Sequence, residues 1–156
     1  MNRWPVAVVL LLLLAACASD DRGQQASSPT ATTTTAAPAT RASDRCEAAS
    51  GALVAAIKEG LTVTGGGTLR NAKAVRSKDF EKVWMVAADI QGSGMEGSED
   101  IGVWATNSLQ GDGLVFAIDG FAQEFSDWGH GDTTDANITQ AADGVQEAKD
   151  CVQRQG

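Results

Sequence analysis

Apolar residues recur along this chain with two different spacings, flanked by one run that has no spacing at all. Between 46 and 61, Ala49, Leu53, Val54, Ile57 and Leu61 return at steps of three and four, which predicts an amphipathic helix. Asp44 stands where an N-cap would, Glu47 follows in capping-box fashion, and Gly60 marks the end. A second stripe, Ile138, Ala141, Ala142, Val145, Ala148 and Val152, predicts a helix over 138–152 with Asn137 as its cap. Gly144 falls inside that stripe and weakens the helix by about 1 kcal/mol relative to Ala. The simplest arrangement of the two helices is an antiparallel pair.

Between the helices the spacing changes to two. Segments 83–90, 101–106 and 114–118 read as strands bounded by Gly-rich turns, and 69–76 as a weaker fourth. The expected fold class is therefore α+β, an antiparallel sheet of three to four strands with a helix at each end. Setting Ile90 opposite Ile101 and Val103 opposite Ile118 gathers Trp84, Val86, Val103, Leu114, Phe116 and Ile118 on one core face. The other face then carries Met85, Ala87, Asp89, Trp104, Val115 and Asp119, too apolar for a plain solvent face. Asp89, Trp104 and Asp119 are the candidate ligand-binding residues, because an aromatic between two carboxylates suits a cationic or polar ligand. The competing expectation is that 119–128 folds over this face, since Phe121, Phe125 and Trp128 have the i, i+4, i+7 spacing of a helix.

The uninterrupted apolar run, 6–16, follows the positive Arg3 and spans about 11 residues, too short for the roughly 20 that cross a bilayer as a permanent helix. It reads as an export signal and closes on Leu14-Ala15-Ala16-Cys17. That ending resembles the bacterial lipoprotein lipobox. The resemblance implies cleavage after Ala16, a diacylglyceryl group on the Cys17 thiol, and a mature chain held at the extracytoplasmic face of the cell membrane. Residues 18–44 include Thr32-Thr33-Thr34-Thr35, Pro29 and Pro38 and lack any aromatic, a composition that cannot bury enough surface to order itself. They read as a tether and resemble in composition the tethers of actinobacterial surface lipoproteins. The expected organisation is a signal peptide at 1–16, lipidated Cys17 with its tether to 44, and one domain from 45 to 156.

Removing the first 44 residues leaves the charge as it was. Arg3, Arg22 and Arg41 balance Asp20, Asp21 and Asp44, so the domain holds the whole formal charge of −8. With Lys and Arg scattered through it, such a domain is unsuited to nucleic acid, which requires a clustered positive patch. Once Cys17 is given to lipid, Cys46 and Cys151 remain near the two ends of an exported domain, where an oxidising compartment favours a disulfide. A metal site or reactive thiol is the alternative, but there is no C-x-x-C spacing and no nearby His.

Candidates for chemistry are few. Gly92-Ser93-Gly94-Met95-Glu96-Gly97 matches the dinucleotide fingerprint G-x-G-x-x-G, yet strand-like residues 100–106 follow where a helix must open. Glu96, Glu99 and Asp100 would also repel phosphate, so the segment reads as a hairpin turn. Gly65-Gly66-Gly67 reads as a connection. His130 lies in Gly129-His130-Gly131-Asp132 without an accompanying G-x-S-x-G, and Asp132, Asp135 and Asn137 suit a helix-capping loop at least as well as a weak Ca²⁺ site. Asp89 and Asp119 offer a paired-carboxylate possibility for a small hydrolase. No cofactor is expected. The leading expectation is a non-enzymatic envelope lipoprotein that binds a partner protein or small ligand, ahead of an envelope structural or assembly factor.

Overall fold

Strand β3 (Trp84–Gln91) and strand β4 (Ile101–Thr106) hold eleven buried positions between them, with Met85 to Ala88 and all of β4 buried without a break. Such runs require cover on both faces of a sheet, and that is what the computed structural model contains. It describes residues 45–95 and 100–154. The expected signal peptide, Cys17, the expected tether and the expected Asp44 cap all lie outside the described residues, as do Glu96 and Glu99.

The sheet has five antiparallel strands in sequential order, adding β1 (Glu47–Ala48), β2 (Thr68–Arg76) and β5 (Val115–Ala117) to the central pair. The α+β class is therefore as expected, with five strands rather than three or four. Helix α1 (Gly51–Glu59) and helix α2 (Gly120–Phe125) bring Leu53, Ile57 and Ala122 to the face that carries Val86, Ala88 and Trp104. Helix α3 (Val145–Gln153) covers the other face, where Val145, Ala148 and Val152 meet Val75, Met85 and Val103. The two long helices thus lie on opposite faces and do not form a pair. No described helix is long and apolar enough to cross a membrane.

Both helices begin later than their stripes suggest. Glu47 and Ala48 pair with Ala74 and Lys73 as an edge strand, and Ala49 N–H donates to Ala72 O. The turn into α1 comes at Ser50, whose Oγ accepts Leu53 N–H at 3.1 Å as the N-cap. Cys46 accordingly precedes a strand rather than opening a helix. Gly144, with φ of 94°, is the left-handed N-cap of α3 and not an interior residue.

The register of β3 on β4 differs by one residue from the expected one. Asp89 faces Ile101 and Val86 faces Trp104, while β4 and β5 pair as anticipated, with Ala105 opposite Phe116. A one-residue slip exchanges the faces of a whole strand. Here it joins Val86, Ala88 and Ile90 to Trp104, and Met85 and Ala87 to Val103, Ala105 and Ile118. In β2 a bulge between Arg70 and Lys73, with Asn71 at φ of 54°, lets Leu69 and Ala74 share the α1 face although they are five residues apart.

Cys46 and Cys151 form a disulfide with a Cα–Cα distance of 6.0 Å and a sequence separation of 105. It ties the start of edge strand β1 to α3. Beside it Arg45 holds both Asp143 oxygens, at 2.8 and 3.3 Å, and also bonds Glu147.

Candidate functional site: an apolar cleft beside the edge strand

The residues expected to form a pocket are separated by the sheet. Trp104 is 0% exposed on the α1 face, where its indole N–H donates to Ser126 Oγ at 3.2 Å. Gly102 makes that possible, because a Cβ there would lie 2.7 Å from the indole ring. Asp89 is half-buried on the α3 face and accepts from Gln91 Nε2 at 2.8 Å. Asp119 is 3% exposed and committed to the fold. Its Oδ1 accepts Val103 N–H and Ala122 N–H, each at 3.0 Å, capping α2, while Oδ2 lies 2.6 Å from Lys149 Nζ on α3. Neither Trp104 nor Asp119 presents surface to a ligand. The covering expectation holds in part: Phe125 and Trp128 pack against the core around Trp104, and Trp128 Nε1–H donates to Ile57 O at 3.0 Å, whereas Phe121 is exposed and α2 ends at Phe125, before Trp128.

The remaining chemical candidates are also placed. Gly92 bridges to Met95 directly after β3, and the next described element is antiparallel strand β4 from Ile101, where the dinucleotide motif requires a helix. His130 is exposed, and among the described residues its side chain makes no hydrogen bond. Among the described residues no group of three or more His, Cys, Asp or Glu is arranged to hold a metal.

An opening of about 350 Å³ exists elsewhere, at the β5 edge of the α3 face. Val83, Ala105, Phe116 and Ile138 form its walls, and Leu114 and Ala136 its rim. Leu114, expected in the core by alternation, is 63% exposed and the most exposed large apolar residue described. Strand β5 is only three residues long, so the alternation that half-buries Phe116 ends at Val115 and leaves Leu114 at the mouth.

The far wall is built on one carbonyl. Gly131 O accepts Ile138 N–H at 3.0 Å, Thr134 N–H at 3.3 Å and the Thr134 hydroxyl at 2.7 Å. These bonds curl 131–138 back over the sheet and place Ile138 and Ala136 against the cleft. Gly131 itself packs tightly, since a Cβ there would lie 2.4 Å from Ile118 and 2.7 Å from Ile138 O.

Polar groups at the cleft are already engaged. Thr106 Oγ1 accepts Ser108 N–H and donates to Ser108 O, and Asn107 Oδ1 accepts Leu114 N–H at 2.9 Å. What the cleft offers a visitor is apolar surface with one carboxylate, Asp135, at its edge. Such a surface holds a ligand by desolvation and dispersion rather than by directed hydrogen bonds.

Comparisons with family models, with curated proteins and with solved structures found no match to this chain.

Proposed function

We propose that this chain is an exported lipoprotein, anchored at the outer face of the cell membrane through Cys17, whose domain is a non-enzymatic binding module. Its ligand presents an alkyl or aryl group to the cleft formed by Val83, Ala105, Leu114, Phe116 and Ile138. The observation that carries this reading is an apolar opening of about 350 Å³, within the range of roughly 300–1,000 Å³ typical of small-molecule sites. An inserted group that hides about 100 Å² of its apolar surface gains about 2.5 kcal/mol, enough for weak, selective binding. The lipobox resemblance at Leu14-Ala15-Ala16-Cys17 supports the anchored part of the reading.

Thermal unfolding of the full chain in the presence of substituted benzenes and medium-chain alcohols tests the binding part. One chemical class is expected to raise Tm in proportion to its concentration; equal, negligible shifts from every compound would refute it. Labelled lipid incorporation tests the anchor, and incorporation that survives Cys17→Ser would refute that.

The exposure of Leu114 favours a second reading, an envelope assembly factor whose cleft receives an apolar side chain of a partner protein. Under that reading Leu114→Glu abolishes co-purification with an envelope complex, and no small molecule raises Tm.

A further inference from the structure

A second opening, about 340 Å³, lies beside the apolar cleft and has the opposite character. Phe116 lines the first and Ile118 the second, two residues apart on one face of the chain. Gly131, packed between Ile118 and Ile138, divides them. The second is lined by Gln123 of α2, Asp132 of the 3-10 turn Gly131–Thr133, and Thr139 and Gln140 of the following loop. Ile118, 3% exposed, lies at its floor, and Gly120 is an open position at its edge.

Asp132 and Gln140 are exposed at this opening, and Gln123 and Thr139 are half-buried. Among the described residues, the amides of Gln123 and Gln140 and the carboxylate of Asp132 have no hydrogen-bond or ion-pair partner. Thr139 Oγ1 accepts Ala141 N–H at 3.3 Å and keeps its own proton to donate. Two amides that donate and accept, a hydroxyl that donates and a carboxylate that accepts match a ligand carrying several hydroxyl groups. An anion is disfavoured, because Asp132 faces the opening and no cationic side chain lines it. The nearby Lys149 ammonium is paired with Asp119.

Gly120 offers a place to fill the opening by substitution. Its φ lies outside the left-handed region, and a Cβ built on it meets no atom within 4 Å. Neither backbone conformation nor packing requires glycine at this first position of α2. A side chain placed here has room at the edge of the opening.

We infer that this second opening is a binding site for a neutral polyhydroxylated ligand, a saccharide unit, held by Gln123, Asp132, Thr139 and Gln140. The site is separate from the apolar cleft and stands or falls independently of it.

The test is ¹H–¹⁵N spectroscopy of the full chain titrated with glucose, galactose, mannose, ribose and sucrose, and with sodium phosphate as the anionic control. At least one sugar is expected to shift the side-chain amide signals of Gln123 and Gln140 saturably, with no comparable shift from phosphate. Gly120→Leu is expected to weaken that response at least tenfold without lowering Tm, and Gln140→Leu, on an exposed loop residue, to weaken it as well. The inference is overturned if no sugar shifts those signals, if phosphate shifts them equally, or if both variants respond like the parent chain.

Discussion

The indole N–H of Trp104 donates to Ser126 Oγ at 3.2 Å, and the Ser126 hydroxyl donates in turn to Ala122 O inside α2. The largest fully buried side chain of the sheet is thereby tied to the helix that covers it. Ser126→Ala removes the only acceptor the indole N–H has among the described residues and leaves a buried donor unpaired, which costs about 1–3 kcal/mol. Trp104→Ala also empties the core and costs about 3–5 kcal/mol. Urea denaturation at neutral pH measures both. A Ser126→Ala change below about 0.5 kcal/mol would mean that the tie is not holding α2 in place.

The Cys46–Cys151 bridge closes nearly the whole domain, joining the short edge strand β1 to α3 across 105 positions of sequence. Reduction, or Cys151→Ser, is expected to lower stability by about 2–5 kcal/mol, largely by freeing the unfolded chain. Melting curves with and without reductant check this. Superimposable curves would contradict it.

Asp119 joins three elements through one carboxylate, and the consequences differ between its two oxygens. Asp119→Asn keeps an acceptor for Val103 N–H and Ala122 N–H but loses the ion pair to Lys149. Asp119→Ala loses all three. The expected costs are about 1 kcal/mol for Asn and about 3 kcal/mol for Ala, from a lost cap and a buried amide left without its acceptor. Chemical denaturation that ranks the two variants the other way would contradict the assignment of roles.

The Arg45 guanidinium, bonded to both Asp143 oxygens, holds that carboxyl below its ordinary value of 3.8, against an opposing effect of burial. The backbone N–H of Lys78 adds to the lowering. A carboxyl whose pKa is lower in the folded state stabilises the fold fully above its unfolded pKa. That contribution is lost as pH falls from about 4 through the folded value. Arg45→Ala is therefore expected to cost about 1 kcal/mol at pH 7 and to flatten the loss of stability below pH 4. Unfolding free energies of parent and variant measured between pH 7 and pH 2.5 provide the check, and a constant difference across that range would contradict it.

The class of the fold and the disulfide were legible in the residues because each depends on features that survive without neighbours. Period-two and period-three-or-four stripes separate strand from helix, and two cysteines at the ends of a domain have little else to pair with. The β3–β4 register was not legible for a physical reason. When Met85, Val86, Ala87 and Ala88 are all buried, alternation no longer says which face is inside, and the pairing can be shifted by one without penalty in the pattern. That one step separates a register with Asp89 and Trp104 on a shared face from the observed one, which puts them on opposite faces. The start of α1 is not legible because Ser50 caps it without the capping box that Asp44 and Glu47 mimic. The cleft left no periodic trace at all. It exists because three donors converge on Gly131 O and fold 131–138 beside a strand too short to cover Leu114.

The binding account rests on the cleft at Leu114 and Ile138 being a site rather than an unused hollow, and filling it tests that most directly. Ala136 is exposed at the rim, so Ala136→Trp can occupy the opening from the loop side without disturbing the core. Methyl ¹H–¹³C spectra of the full chain, titrated with the apolar class that raises Tm, report on Leu114 and Ile138. The account predicts saturable shifts at both methyl groups in the parent chain and at least a tenfold weaker response in Ala136→Trp, with Tm in the absence of ligand unchanged. Ligand-induced shifts elsewhere in the domain, or an undiminished response in the filled variant, would contradict it.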